Sequence, residues 1–191
     1  RVYELESSDE ERYIIKFYRP DRWTFDALMD EHDFILDCFE NEIPVVPPIV
    51  LEDGNTLNSV DGIYYAIFIK RSGRLIELNS DDDWVRLGAI VGRMHRVGFD
   101  YDAENRAVLH PIETTKDDID YLITENLIPE PYKSEFIRIT NTLLDIITPL
   151  FKDVPLQRIH GDCHSGNILD RGKEGLLLID FDDMVTGPCI H

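Results

Sequence analysis

The sequence is poor in positive charge. Its 191 residues include 38 acidic and 19 basic side chains, which gives a net charge of −19. A surface this acidic repels both the nucleic-acid backbone and anionic membranes, so we expect neither as a partner. An anionic ligand would have to be held by cations placed close to it, because the field of the whole chain opposes its approach.

Cysteine and long apolar runs are also scarce. The three cysteines, Cys38, Cys163 and Cys189, show no paired spacing. An odd number of unpaired thiols does not indicate a disulfide framework and favours a reducing compartment. The sequence contains neither a signal peptide nor an apolar run long enough to span a bilayer. We therefore expect a cytoplasmic protein, and we expect it to be a monomer.

The chain begins without a methionine and lacks a glycine-rich phosphate loop. Residues 1–5 already have a strand-like pattern, and residues 187–191 have the composition of a loop. These features predict a domain that is truncated at both ends.

The first part of the chain is rich in β-branched and aromatic residues. Two apolar runs on either side of a polar turn predict a hairpin, and apolar positions at helical spacing predict a helix after it. The predicted elements are strands over residues 2–5, 12–18, 49–51 and 63–69 and a helix over residues 24–41. The composition then becomes more helical, so we place a boundary between an N-lobe, residues 1–70, and a C-lobe, residues 71–191.

The second part predicts helices followed by short strands. Ser80 with Asp83 has the spacing of a capping box, which indicates the start of a helix. The predicted helices cover residues 80–97, 115–125 and 132–150, and the predicted strands cover residues 156–159, 168–169 and 176–179. The whole pattern predicts an α+β fold with two lobes.

Three polar residues lie at the ends of these last strands. Asp162 and Asn167 occupy one loop, and Asp180 ends the next strand, so a hairpin would bring them to one end of a small sheet. Phosphoryl transfer needs a carboxylate that accepts the proton of the attacking hydroxyl, and oxygen ligands that hold Mg²⁺ against the phosphates. We predict that Asp162 is catalytic, that Asn167 and Asp180 bind Mg²⁺, and that ATP is the donor.

Other side chains in the same loop have simpler interpretations. His160, Cys163 and His164 could form a zinc site, but no fourth ligand follows at a suitable spacing. We expect the two histidines to brace the loop through hydrogen bonds. Asp182 and Asp183 need no function, since a solvated acidic loop has the same sequence.

Lys16 lies inside an apolar strand. It could be an edge-strand lysine that extends to water, or it could be the strand lysine that contacts the α- and β-phosphates of a nucleotide. In the second case it needs an acidic partner on the next helix. We prefer Glu31 and keep Asp30 and Asp33 as alternatives, because one helix face cannot present all three.

The step from Asp162 to Asn167 matches the catalytic loop of protein kinases. Gly161 stands where protein kinases have Arg, and the form His-Gly-Asp-x-His-x-x-Asn resembles that of the aminoglycoside phosphotransferase and choline kinase group. By this likeness the strand ending at Phe68 and Ile69 would lead to the hinge and offer its backbone to adenine. The glycine-rich phosphate loop would then precede Val2.

Most of the chain resembles the bacterial stress response kinase A family, which has an aminoglycoside phosphotransferase-like fold. The most specific stretches are Lys16-Phe17-Tyr18-Arg19-Pro20 and His160-Gly161-Asp162-Cys163-His164; Arg22-Trp23, Glu31-His32, Glu42-Ile43-Pro44-Val45, Gly92-Arg93-Met94-His95 and Gly187-Pro188 support them. The resemblance implies a cytoplasmic Ser/Thr protein kinase that acts in stress survival, with a protein acceptor. It also implies that Asp180 is a second active-site residue.

Two features keep other functions open. Asp180-Phe181-Asp182 departs from the Asp-Phe-Gly of protein kinases, which argues against activation by a flip of this segment. An acidic chain also suits a cationic acceptor, so a small-molecule kinase acting on an aminoglycoside, choline or a homoserine-like alcohol is the first alternative. A pseudokinase that only binds nucleotide is the second.

Overall fold

The computed structural model describes residues 1–8 and 10–190. In this part of the chain the strands are β1 (Val2–Glu6), β2 (Arg12–Phe17), β3 (Asn58–Val60), β4 (Ile63–Ile69), β5 (Arg74–Leu75), β6 (Leu156–Ile159), β7 (Ile168–Asp170), β8 (Leu176–Leu178) and β9 (Val185–Pro188). The α-helices are α1 (Phe25–Glu40), α2 (Asp81–Asp100), α3 (Lys116–Thr124) and α4 (Glu130–Ile147). Single turns of π- or 3₁₀-helix occupy Pro111–Thr115, Thr148–Phe151, Ser165–Asn167 and Gly172–Glu174.

An antiparallel sheet forms the first part of the chain. Its strand order is β1-β2-β4-β3, with Lys16 opposite Val2 on one side and Ala66 on the other. β2 is therefore an interior strand, and Lys16 is not the edge-strand lysine that was one of its two interpretations. Residues 49–51 were predicted as a strand, but they form none; the chain makes one isolated bridge, from Pro48 to Phe68, and then turns.

Two small sheets follow instead of one. The first has the order β5-β7-β8, and β6 pairs separately with β9. β6, the strand before the polar loop, therefore lies outside the sheet of the hairpin. One prediction was wrong here: Gly187 and Pro188, expected in a loop over residues 187–191, belong to β9. Gln157 pairs with Gly187 in this register. A glycine and a proline in β9 hide its pattern, because both residues are usually depleted in strands.

Helix α1 packs into two parts of the core. Thr24 caps it by accepting a hydrogen bond from the backbone of Ala27. Leu28 packs in a cluster with residues of the first sheet, whereas Phe34 and Ile35 pack in a larger cluster with α2, β7 and β8. The two predicted lobes thus share one helix, and the boundary after residue 70 stays a prediction.

Specific contacts fix helix α2 near both of its ends. Ser80 and Asp83 form the predicted capping box in both directions. Near the other end, Gly98 lies so close to β6 that an added Cβ would overlap the carbonyl oxygen of Arg158. This contact brings α2 against the strand that leads into the polar loop.

Among the described residues, none of the helices has the length and apolar character needed to cross a membrane.

The contact at Gly98 gives a test of this packing. Gly98→Ala should destabilise the protein by about 1–3 kcal/mol, because the new methyl group meets backbone that cannot move aside cheaply. Gly88→Ala on the same helix is the matched control, since a Cβ there meets nothing within 4 Å. The control should stabilise the protein by roughly 0.5–1 kcal/mol. Urea unfolding measures both, and equal effects would contradict this packing of α2 on β6.

Candidate active site

The polar loop after β6 turns at Gly161. Gly161 has a φ of +79°, a left-handed conformation that side chains disfavour. A Cβ at this position would also overlap the carbonyl oxygen of Asp183. These two constraints give a physical reason for a glycine where protein kinases have Arg, and they bring the loop against the segment that follows β8.

Asp162 and Asn167 meet within this loop. The Nδ2 amide of Asn167 donates to the backbone oxygen of Asp162 at 2.9 Å and to its Oδ2 at 3.1 Å. Both acceptors are oxygens, which fixes the orientation of the amide. The Oδ1 atom of Asn167 therefore takes no part in the contact with Asp162. His164 approaches the same carboxylate oxygen, with Nε2 3.4 Å from Oδ2.

The two histidines hold backbone groups, as the sequence led us to expect. His160 Nδ1 accepts from the backbone of Asp162, and Nε2 lies 2.9 Å from the carbonyl oxygen of Ile179, so one neutral tautomer satisfies both contacts. Burial lowers the pKa of His160, which favours this neutral form. His164 Nδ1 accepts from the backbone of Gly166 at 2.8 Å.

The zinc interpretation has no structural support. In residues 1–8 and 10–190, no group of three or more His, Cys, Asp or Glu side chains is placed to bind one metal ion. Each histidine of the loop already has a ring nitrogen committed to backbone, so these side chains act as loop supports.

The hairpin of β7 and β8 places Asp180 beside this loop. Ile168 pairs with Leu178, and the backbone of Ile179 donates to the carbonyl oxygen of Asn167 at 3.0 Å. Asp180 follows directly and has a φ of +61°. That conformation is uncommon outside glycine, and such residues concentrate at active sites.

Lys16 Nζ connects Asp180 to helix α1. It lies 3.0 Å from Asp180 Oδ1, 3.4 Å from Glu31 Oε1 and 3.5 Å from Asp182 Oδ1. Burial opposes the charge on Lys16, but the carboxylates of Glu31, Asp182 and Asp180 outweigh it and raise the pKa of the ammonium. Burial also acts to raise the pKa of Asp180, yet Lys16 outweighs it and lowers that pKa. Both groups are charged at neutral pH.

Glu31 is fully buried and has partners on both oxygens. Oε1 accepts from Tyr18 at 3.2 Å and faces Lys16, and Oε2 accepts from Arg106 at 2.7 Å. Burial raises the pKa of Glu31, although Lys16 and Arg106 act in the other direction.

A chain of hydrogen bonds supports Glu31 from behind. The Tyr18 oxygen lies 2.9 Å from His32 Nε2, and His32 Nδ1 lies 2.8 Å from the Thr56 hydroxyl. Burial lowers the pKa of His32 to about 4, so the ring is neutral at pH 7. Because Tyr18 donates to Glu31, His32 must donate to Tyr18 and accept from Thr56. All four polar groups are thereby satisfied.

An apolar cleft of about 310 Å³ opens next to Lys16. Phe68 and Ile69, the predicted hinge residues, lie in its wall near Lys70 and Arg71. Its other apolar lining residues are Val2, Ile14, Ile35, Val46, Leu169, Leu178, Ile179 and Phe181. A cleft with apolar walls, a lysine and a carboxylate suits a ligand in which a flat base is joined to a charged group.

The structure decides among the acidic alternatives for Lys16. Glu31 points to the lysine, whereas Asp30 binds Asn105 through both carboxylate oxygens, at 2.8 and 3.3 Å. Asp33 makes no ion pair with Lys16 in the described part of the chain.

The sequence analysis did not predict the contacts that three further residues make at this site. Arg106 is buried against Glu31, and Asp182, expected to be merely solvated, contacts both Lys16 and Arg22. Arg22 also pairs with Asp183. Arg106 lies in an irregular segment, 75 positions from Glu31, and no local pattern marks it.

The donor set fits a hard divalent cation. Asn167 Oδ1 and the half-exposed, ionised carboxylate of Asp180 offer oxygen atoms on short loops. Mg²⁺ prefers such ligands and needs few of them, because it keeps several waters.

Solved structures share this fold. "Amicoumacin kinase hAmiN in complex with AMP-PNP, Ca2+ and Ami" matches with a TM-score of 0.74 at 21% identity, over 99% of this chain and 57% of that one. "Structure of the microcompartment-associated aminopropanol kinase" matches with a TM-score of 0.69 at 18% identity, over 97% and 62%. The predicted aminoglycoside phosphotransferase-like fold is confirmed.

Sequence relatives agree with this result. "Stress response kinase A" of Salmonella choleraesuis (strain SC-B67) and "Serine/threonine protein kinase RdoA" of Salmonella typhimurium are each 37% identical over 192 residues, and "Stress response kinase A" of Escherichia coli (strain K12) is 35% identical. The predicted resemblance to the stress response kinase A family is confirmed. The chain spans 58% of the length of these curated relatives. The model of the "Phosphotransferase enzyme family" matches residues 1–191, so the chain belongs to that family.

Proposed function

We propose that this chain supplies the ATP-binding and catalytic groups of a Mg²⁺-dependent kinase that phosphorylates a hydroxyl. The observation that carries this proposal is the position of Lys16. It lies at an apolar cleft with its ammonium 3.0 Å from Asp180 and 3.4 Å from Glu31. This arrangement can hold a nucleotide phosphate at the place where the loop of Asp162 and Asn167 meets the segment of Asp180.

The cleft binds the nucleotide. The adenine enters between apolar residues that include Ile14 and Leu169, and Phe68 and Ile69 present the backbone beside it. The phosphates extend towards Lys16, whose ammonium acts as a compact positive charge. Two features support ATP as the donor: membership of the phosphotransferase family, and the AMP-PNP named for the amicoumacin kinase structure.

Asn167 and Asp180 hold the metal. Bound there, Mg²⁺ would neutralise charge that develops on the transferred phosphoryl group. The Ca²⁺ named for the amicoumacin kinase structure supports a divalent cation in this fold.

Asp162 prepares the acceptor. Its Oδ2 accepts from Asn167 and faces His164, which fixes the carboxylate and leaves Oδ1 for the incoming hydroxyl. The carboxylate orients this hydroxyl and takes its proton as the phosphoryl group is transferred.

The acceptor that we favour is a Ser or Thr side chain of a protein, in a cytoplasmic stress response. The printed names of the relatives at 35–37% identity support this choice. The chain would then act as a monomer on a protein whose identity the site does not specify.

A small alcohol is the second candidate acceptor. Two solved neighbours are named as kinases of amicoumacin and aminopropanol. The net charge of −19 also favours a cationic molecule over an anionic one. A pseudokinase is disfavoured, because Asp162, Asn167 and Asp180 keep the polar groups that transfer requires.

Reactions with labelled ATP distinguish a protein acceptor from a small alcohol. The full-length protein, incubated with γ-labelled ATP and a cell extract, should transfer label to protein, on Ser or Thr. Parallel reactions contain an aminoglycoside, choline or homoserine in place of the extract. Label found only on the small alcohol would overturn the protein-kinase proposal and support the second candidate.

Replacing Asp162 and replacing Asp180 should have different effects on the transfer rate and on ATP binding. Asp162→Ala should lower transfer by roughly 10²–10⁴-fold with little change in ATP affinity, because this group acts on the acceptor. Asp180→Ala should lower the rate and also weaken Mg-ATP binding, because it removes a metal ligand. Initial rates and titration calorimetry measure the two effects.

Asp118→Ala on α3 is the control for removal of an acidic side chain, since Asp118 is exposed and lies outside the cleft. It should leave both quantities at the wild-type level. Equal Mg-ATP affinity in wild type and Asp180→Ala would contradict the metal assignment.

A further inference from the structure

We propose that Arg106 is a positioning residue that ties Glu31 and the Asp180–Asp183 segment together, so that Lys16 and Asp180 are aligned without an activating rearrangement. This inference rests on the proposed kinase function and adds to it a residue and a mode of regulation: a site fixed in its working arrangement.

The buried Arg106 guanidinium donates a hydrogen bond from each of its three nitrogens. Its Nε donates to the Ala27 carbonyl oxygen at 2.7 Å, and its two terminal nitrogens donate to Glu31 Oε2 at 2.7 Å and to the Asp182 carbonyl oxygen at 2.9 Å. Its side chain and that of Glu31 are both fully buried. One planar guanidinium therefore links two places on α1 to the backbone of the segment that contains Asp180.

The residues next to Arg106 hold it in place. The backbone of Asn105 donates to Asp30 on α1 at 2.8 Å, and the carbonyl oxygen of Ala107 accepts from Thr186 on β9 at 3.0 Å. The Trp23 ring lies 4.1 Å from the guanidinium carbon of Arg106. Because the backbone on either side of Arg106 is held, its long side chain loses little further freedom when it makes its three hydrogen bonds.

Arg106 also releases Lys16 for the nucleotide. Lys16 is shared by Glu31, Asp180 and Asp182. If Lys16 were the sole cation at Glu31, its movement to a phosphate would leave a buried carboxylate unpaired, which is costly. Arg106 keeps Glu31 paired throughout, so Lys16 can contact phosphate while α1 stays in position.

The segment itself is held against a flip. Phe181 is buried and packs edge-on against Phe34, with ring centroids 5.7 Å apart, and against His160 at 4.4 Å. The bond from Arg106 to the next carbonyl oxygen, that of Asp182, holds the main chain on the other side. The departure from Asp-Phe-Gly in the sequence thus coincides with a segment anchored at two successive residues.

The test compares Arg106→Met with Arg158→Met in the full-length protein. Arg158 is an equally buried arginine that also reaches α1, through Asp37 at 2.7 Å, but it contacts neither Glu31 nor Asp182. Titration calorimetry with Mg-ATP should show roughly 10–100-fold weaker binding for Arg106→Met and the wild-type affinity for Arg158→Met. Lost stability alone lowers the number of binding sites but leaves their affinity unchanged.

The pH dependence of binding gives a second readout. Glu31 is faced by Lys16 from β2, by Tyr18 directly after that strand, by Arg106, and by the charge of Asp182. Loss of the Arg106 charge raises the pKa of Glu31 further. Mg-ATP binding to Arg106→Met should therefore weaken as the pH falls through a range where the wild type is level. The added substitution Glu31→Gln should abolish this dependence, because no titrating carboxyl remains.

Arg106→Lys separates charge from geometry. It restores a positive charge near Glu31 but cannot make three bonds in one plane. The level pH profile should return, while the affinity stays below that of the wild type. If Arg106→Met does not fold, this variant decides: wild-type affinity in Arg106→Lys overturns the proposal, and reduced affinity supports it.

Two results would overturn the inference while leaving the kinase function intact. One is wild-type affinity and a level pH profile in folded Arg106→Met; the other is the same affinity loss in Arg158→Met. The kinase function fails separately, if Asp162→Ala transfers label as fast as the wild type, because the label then does not come from this site.

Discussion

The pairing of a few buried charges constrains the rest of this structure. Lys16 and Arg106 lie among Glu31, Asp180 and Asp182, and each buried ion would cost on the order of several kcal/mol if it lacked a partner. The partners come from β2, from α1, from the irregular segment after α2 and from the segment after β8. These four parts of the chain must therefore come together before all of the charges are paired, and the cleft forms where they meet.

Helix α1 shows how this constraint extends through the fold. The chain Thr56–His32–Tyr18 holds it towards the first sheet, and Arg158 holds it at Asp37 towards β6. Apolar packing alone would tolerate small rotations of a helix, whereas hydrogen bonds to buried groups fix its phase. This accounts for one helix contributing to both clusters of the core. The place of Glu31 opposite Lys16 depends on the Tyr18 and Arg106 bonds, and the bond at Asp37 fixes the other end of the helix.

Local features of the sequence predicted most of the fold and much of the candidate site. The five-residue step from Asp162 to Asn167 lies in one loop, and the hairpin after it needs only short-range pairing. The helical spacing of α1 could also have singled out Glu31. It is three positions after Leu28 and four before Ile35, both of which are buried, so the three side chains share one face of the helix. Arg106 and β9 could not be found in this way. Their contacts join distant positions, and neither a lone arginine nor a short strand with glycine and proline has a period.

The balance of charge at the site follows from the same geometry. Glu31, Asp180, Asp182 and Asp183 face Lys16, Arg22 and Arg106, so carboxylates exceed cations by one in this cluster. In the proposed function, Lys16 moves from Asp180 to the phosphates, which frees Asp180 to act as a metal ligand. The ion pair of the free protein thus occupies the positions that nucleotide and metal take over, and each broken contact is replaced by one of the same sign. A chain with a net charge of −19 can hold an anionic nucleotide in this way, because the exchange is local and does not require the whole surface to attract it.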